Sequence, residues 1–283
     1  MQLLPLTLHE DPDIPEAVSP FVKVCIDGAP GLALLDTGAA TSSVRDRPGL
    51  LTRSVMPRGT GLFGLQRDRE FRADVNLSLG GMGLGLVDVQ VVPADHPGPG
   101  SLLGQDVLAR WCCEFRLGTG ELLVDMPMLE SGTTIVVGDR GHIVLDVEWP
   151  VGTQARGLFD TGASLTVVDS TFAAAHPDLF APGETVGGVD ADGNTGETPL
   201  LHMAGLRLLG SAFPQSLAAA VDLQAIQRPD TAFDLILGWP VLHQGIFTID
   251  PNRCLARHSI RGHESSGGWP PEIDYWLFQA GKA

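Results

Sequence analysis

Leu34-Leu35-Asp36-Thr37-Gly38-Ala39 and Leu158-Phe159-Asp160-Thr161-Gly162-Ala163 spell one motif twice, 124 residues apart. Each copy follows an alternating apolar stretch and a turn: Val22, Val24 and Ile26 before Asp27-Gly28, and Ile143, Leu145 and Val147 before Trp149-Pro150. Each is followed by a second matched element, Leu102-Leu103-Gly104-Gln105-Asp106-Val107-Leu108 and Ile236-Leu237-Gly238-Trp239-Pro240-Val241-Leu242. Both read as two apolar residues, a glycine and a short helix. The aspartate-to-glycine spacing is 68 residues in the first half and 78 in the second, a difference that suits loop insertion. Each half then closes on a hairpin: Cys113 to Leu117 turns at Gly118-Thr119-Gly120 into Leu122 to Val124, and Ile246 to Ile249 turns at Asp250-Pro251-Asn252 into Cys254 to Ala256. The chain therefore reads as one unit used twice.

A length of 283 residues accommodates two lobes, each of roughly 110 to 130 residues with its own core. The 35 glycines and 21 prolines, without long helical periodicity, predict an all-β fold of short strands and many turns. The expected division is an N-terminal lobe over 1–126 with its core at 20–126, a linker over 127–139, a C-terminal lobe over 140–258 and a tail over 259–283. Trp269, Tyr275, Trp276 and Phe278 in the tail are expected to pack across the lobes. Glu10-Asp11-Pro12-Asp13 reads as a solvated leader.

A net charge of −16 repels phosphate backbones and anionic lipid, and no Lys/Arg cluster offsets it, so nucleic acid is not an expected partner. No apolar run approaches the 18 residues of a membrane span, and Met1 to Leu8 lacks the features of a signal peptide. A soluble chain with no membrane partner is expected. A leader trimmed earlier would leave no trace, so the compartment stays open, with a lean to the cytoplasm. Cys25, Cys112, Cys113 and Cys254 show no C-x-x-C spacing; they read as free, small hydrophobes, with disulfides in any of three connectivities as the alternative. Neighbours on a strand point to opposite faces, so Cys112 and Cys113 are not both expected in the core.

A single Asp-Thr-Gly is an ordinary turn; two in matched settings bring paired carboxylates to mind. Hydrolysis of an amide without a metal or a covalent nucleophile needs one carboxylate to take a proton from water while another acid donates to the carbonyl oxygen. Two carboxylates at about 3 Å cannot both ionise, so acid and base roles arise from the pair itself. Gly38 and Gly162 would let the two loops approach, and Thr37 and Thr161 could each hydrogen-bond the opposite loop.

With these motifs the chain resembles the retropepsin-type and pepsin-type aspartic peptidases, over about residues 20 to 258. Asp36 and Asp160 match the family's catalytic aspartates, and Gly104 and Gly238 match the strand beside the catalytic loop. Lobe length and the alanine after each glycine look more like the retroviral type, fused in tandem. The resemblance implies two similar acid-protease β-barrel lobes, a cleft between them, an endopeptidase activity and a peptide or protein substrate, with no cofactor and no metal. Ala39, Ala40, Ala163 and Ser164 would line the cleft. The family closes a glycine-rich flap over substrate. Candidates are Gly59 to Gly64, with Gly61, Leu62 and Phe63 facing substrate, and Gly187 to Gly196, with Gly188 and Val189 doing so and Asp192-Gly193 as its turn. A flap tyrosine of the pepsin kind has no counterpart, since Tyr275 is the only tyrosine.

Other signals are weaker. Gly59-x-Gly61-x-x-Gly64 matches a dinucleotide fingerprint, but an alternating strand pattern follows where a helix is required. Asp190-x-Asp192-x-Asn194 begins like a calcium loop, yet Thr195 and Leu201 stand where glycine and glutamate are needed. The histidines form no zinc pattern and read as surface or structural. Ser164 lacks a nucleophile elbow and reads as cleft wall or helix cap. A monomer with intramolecular lobe pairing is expected; a catalytically idle peptide-binding module on the same fold, or pairing of lobes between chains, is the alternative.

Overall fold

The computed structural model describes residues 1–56, 69–189, 195–227 and 230–259. Gly61, Leu62 and Phe63, the Asp192-Gly193 turn, the Val189 side chain and the aromatic tail lie outside the described residues.

Among the described residues the fold is predominantly β, in two sheets of 13 and 10 strands. In the first half, strand Val18–Ile26 runs into Ala29–Leu35 through a two-residue turn, Asp27 and Gly28. Both turn residues have positive φ, 51° and 83°, the geometry that suits a tight hairpin between right-twisted strands. Alternation buries Val22, Val24 and Ile26 on one face. Ala29–Leu35 then lies parallel to Leu102–Leu103, and that strand lies antiparallel to Ser43–Arg45 at Ser43. Val18–Ile26 also pairs with Glu70–Leu79, so the pairings of this half return to their start in a barrel-like ring.

The second half repeats the arrangement. Ile143–Glu148 pairs with Gln154–Phe159, which lies parallel to Leu235–Leu237, itself antiparallel to Thr166–Asp169. Trp149, at the turn, is fully buried against Phe172 and Phe180. Residues beyond the first half's pattern include a helix at Ser170–Ala175, capped by Asp169 accepting from the Thr171 and Phe172 amides. The long hairpin Phe180–Val189 with Thr195–Met203 carries the second flap candidate, with Gly188 opposite Gly196. In the first half, Arg53–Val55 and Glu70–Leu79 flank the other candidate.

The halves share a six-stranded antiparallel layer, in the order Thr133–Thr134, Leu255–Ser259, Ile246–Asp250, Cys112–Arg116, Glu121–Met126, Gln2–Glu10. The closing hairpins expected of each half are both present, and they pair with one another through Phe247 with Phe115 and Ile249 with Cys113. Phe159, the residue before Asp160, sits between Phe115 and Phe247 at ring-centroid distances of 5.3 and 5.4 Å. This shared layer accounts for two departures from the sequence reading. Cys112 and Cys113 are both buried, Cys113 in the core and Cys112 under the segment at Leu129, while Glu114 and Arg116 on the Cys112 face stay partly exposed. Residues 10–13 are solvent-exposed but not a leader: they turn between strand Gln2–Glu10 and strand Val18–Ile26, with Asp11 accepting from the Asp13 and Ile14 amides. All four cysteines are free.

Candidate active site

Strand Ala29–Leu35 delivers Asp36, and strand Gln154–Phe159 delivers Asp160, to the facing ends of the two halves. Leu35 and Phe159 are fully buried, which fixes where each strand ends. Behind each loop the glycine of the second motif is required by space. A Cβ on Gly104 would stand 2.8 Å from the Ala39 carbonyl oxygen, and one on Gly238 would stand 2.7 Å from that of Ala163. The Gln105 and Trp239 amides, which open the short helices, donate to those same two carbonyls. Six residues after each aspartate a hydroxyl accepts from this glycine: Ser42 Oγ from the Gly104 amide at 2.9 Å, Thr166 Oγ1 from the Gly238 amide at 3.3 Å.

The loops interlock. Thr37 Oγ1 donates to the Phe159 carbonyl at 2.8 Å and accepts from the Thr161 amide at 3.0 Å. Thr161 Oγ1 donates to the Leu35 carbonyl at 2.7 Å and accepts from the Thr37 amide at 3.2 Å. Both threonines are buried, so each of these bonds replaces one that water cannot make. Gly38 and Gly162 lie under the opposing carboxyl groups. A Cβ on Gly162 would fall 2.5 Å from Asp36 Cγ, and one on Gly38 would fall 2.7 Å from Asp160 Oδ1. Here the need for glycine is a matter of close approach.

Asp36 is buried and Asp160 partly so, and the two carboxyl groups lie within hydrogen-bonding range of each other. Asp160 Oδ1 accepts from the Gly162 amide at 2.8 Å and from the Gly38 amide at 3.1 Å, while Asp36 Oδ1 accepts from the Ala39 amide at 2.8 Å. Burial holds Asp36 well above the ordinary carboxylate range, and the negative charge of Asp160 adds to that. Burial also raises Asp160, but the Gly162, Gly38 and Ala163 amides and a hydrogen bond from Asp36 work against the rise. Both carboxyl groups are thus raised, so the pair favours holding one proton between them.

Residues 22–107 match the aspartyl protease family. The matched segment holds the first motif, Asp36, and the second, Gly104, and it ends before Asp160. No curated protein matches the chain. Beyond the aspartyl protease segment, the likeness of the second half rests on its own residues and on their geometry.

Ala39, Ala40, Ala163 and Ser164 sit half-buried on the two loops. No helix begins at Ser164; strand Thr166–Asp169 follows, so the cap reading does not apply. Gly188 stands on the second flap hairpin. The sequence reading missed three residues. Gln105, buried, donates from Nε2 to the Thr37 carbonyl at 3.0 Å. His142 Nε2 lies 3.0 Å from the Gly38 carbonyl oxygen, which only accepts, so that nitrogen carries the hydrogen. Asp106 accepts from the Ser42 amide and hydroxyl, and burial raises its carboxyl above the usual range. Gln105 and Asp106 were in plain view beside Gly104; His142, 104 residues from Gly38, carried no sequence signal at all.

Proposed function

We propose that the protein is an aspartic endopeptidase in which Asp36 and Asp160 activate one water between them. The observation that carries this reading is the meeting of two carboxyl groups from opposite halves, each above the glycine of the other loop. The resting pair holds one proton between its two raised carboxyl groups, and the step is written with Asp36 as the acid and Asp160 as the base. Asp160 takes a proton from the water as its oxygen attacks the scissile carbonyl carbon, and Asp36 gives its proton to the carbonyl oxygen. The tetrahedral diol then collapses: the C–N bond breaks, the nitrogen takes the proton held by Asp160, and a hydroxyl proton of the diol returns to Asp36. One water is consumed, no covalent intermediate forms, and no metal or cofactor is called for.

The peptide lies extended between an N-terminal lobe over 1–126 and a C-terminal lobe over 140–258, bonded strand-fashion along the hairpin that carries Gly188 and Val189. Ala39, Ala40, Ala163 and Ser164 form the cleft floor, their small side chains leaving room for those of the substrate. The interlocked threonines belong to one chain, which supports a monomer as the active unit. The test is cleavage of a mixed peptide library across pH by the parent, Asp36→Asn and Asp160→Asn, each shown to be folded. Loss of cleavage in both variants is expected. Retained turnover in either would remove the shared-water mechanism, and peptide binding without cleavage by the parent would identify an idle binding module.

A further inference from the structure

The amides that hold the two carboxyl groups belong to peptide groups whose other ends are also engaged. The Thr37–Gly38 peptide group donates from its N–H to Asp160 Oδ1 at 3.1 Å, and its carbonyl accepts from Gln105 Nε2 at 3.0 Å. The next peptide group, Gly38–Ala39, donates from its N–H to Asp36 Oδ1 at 2.8 Å, and its carbonyl accepts from His142 Nε2 at 3.0 Å. A peptide group that accepts at oxygen becomes a stronger donor at nitrogen, because the two ends share one π system and the bonds polarise in series. Two side chains outside the duplicated motif therefore address the two carboxyl groups through one peptide unit each.

The second loop is built differently. The residue matching Gln105 is Trp239, whose ring stacks on His243 with centroids 5.3 Å apart and planes 9° apart. His142 comes from the segment leading into strand Ile143–Glu148, and its neighbour Gly141, with φ of 82°, lies directly on Gln105: a Cβ there would stand 3.0 Å from Gln105 Cβ. The two donors are thus side by side, one from each half, both aimed at the Asp36 loop. Gln105 is 2% exposed, so water does not compete for its bond.

We propose that Gln105 and His142 are positioning residues of the aspartate pair, each strengthening, through one peptide group of the Asp36 loop, the N–H that holds Asp160 or Asp36. Each bonds to a backbone carbonyl of the loop and acts on a carboxyl group only through that peptide unit. Their effect is to favour the singly ionised pair and to fix the loop's two amides on the carboxyl oxygens. This rests on the reading of Asp36 and Asp160 as the catalytic pair, but it can be examined without any substrate.

The experiment is carboxyl titration by NMR on the full chain with 13C-labelled aspartate, the signals assigned with Asp36→Asn and Asp160→Asn. It is run together with the amide shifts of Gly38 and Ala39. Gln105→Met and His142→Met keep much of each side chain's volume and remove the donor. Serial polarisation of about 10–30% per bond predicts that in each the first ionisation of the pair moves up by about 0.3 pH units, a twofold change in its dissociation constant. The Gly38 amide proton should move upfield with Gln105→Met and that of Ala39 with His142→Met. His142→Gln, whose amide nitrogen reaches about as far as Nε2, should restore the parent values. A purely structural role would leave Gln and Met alike. If a Met variant does not fold, Gln105→Asn, one methylene short, should give the upward shift while His142→Gln gives none. Unmoved titration and unmoved amides in the folded donor-less variants would overturn the proposal. Cleavage surviving Asp36→Asn would overturn the peptidase reading alone and leave the titration result standing.

Discussion

Thr37→Val tests the junction of the two halves with almost no change of shape. The substitution replaces one hydroxyl by a methyl at a residue that is 0% exposed, so no cavity opens. What disappears is the bond from Oγ1 to the Phe159 carbonyl and the acceptor for the Thr161 amide, at 2.8 and 3.0 Å. A buried N–H left without a partner costs about 1–3 kcal/mol and a lost intramolecular bond about 1 kcal/mol, so the expected destabilisation is about 2–4 kcal/mol. Thr161→Val removes the mirror pair of bonds, to Leu35 and from the Thr37 amide, and should cost the same. The double variant should cost less than the sum by about 1 kcal/mol or more, because loops parted by one substitution have less left to lose from the second. Urea unfolding followed by fluorescence of Trp149 and Trp239 reads these differences, with the exposed Thr133→Val as control. A Thr37→Val cost no larger than the control's, about 0.5 kcal/mol or less, would show that the interlocked threonines do not hold the halves together.

Gly162→Ala brings a Cβ to 2.5 Å from Asp36 Cγ, so the carboxyl must retreat by about 1 Å, and cleavage should fall about 100-fold while the fold persists. Asp36→Asn should be more stable than the parent at pH 7. A carboxyl raised by burial contributes stability that is present below the unfolded value of about 3.9 and lost as pH rises through its folded value, so the two proteins should converge in acid. Urea midpoints against pH check it, and a parent more stable at pH 7 than in acid relative to the variant would contradict it. His258 works in the opposite sense: set between Phe213 and Phe247, it is pushed down to about 4 by burial. Its contribution is present above about 6.5 and lost as pH falls through 4, up to about 3 kcal/mol. His258→Leu should flatten the parent's loss of stability over that window, and an unchanged slope would exclude the imidazole as its source.

Alternation and turn chemistry made the strands around each aspartate legible, because burial of Val22, Val24 and Ile26, or Ile143, Leu145 and Val147, is a local matter of period two. The pair itself was legible because the motif occurs twice. The shared layer was not: pairing of Cys112–Arg116 with Ile246–Asp250 joins residues more than 130 apart, and no periodicity reports which strand lies beside which. The same holds for Gln2–Glu10: the charged residues 10–13 look like a leader until Leu6 to Glu10 are paired with Val22 to Val18, which makes them the turn of a hairpin. Around the site, Thr37 and Thr161 could be anticipated from the motif, whereas His142 acts through a backbone carbonyl, a contact that leaves no residue pattern to find.

The duplicated frame bears on the chemistry in a further way. Where two identical loops face each other across a two-fold axis, symmetry makes their carboxyl groups equivalent, and only a bound ligand can decide which holds the proton. Here the loops are separate stretches of one chain, and the residues behind them differ: Gln105 and Asp106 behind the first, Trp239 and Pro240 behind the second. The first pair supplies a donor to the Thr37 carbonyl and a half-buried carboxyl on Ser42; the second supplies a stacked ring and a residue without an amide hydrogen. Asp160 Oδ1 accepts an amide from each loop, at 2.8 and 3.1 Å, while Asp36 Oδ1 accepts the Ala39 amide of its own loop at 2.8 Å, with the Gly38 amide also acting on Asp36. The residues one and two positions beyond each glycine are thus a place where the two loops differ in what they offer the pair. Exchanging Gln105 and Trp239 is the change that should redistribute the proton, and carboxyl titration of that double variant would show Asp160 gaining what Asp36 gives up.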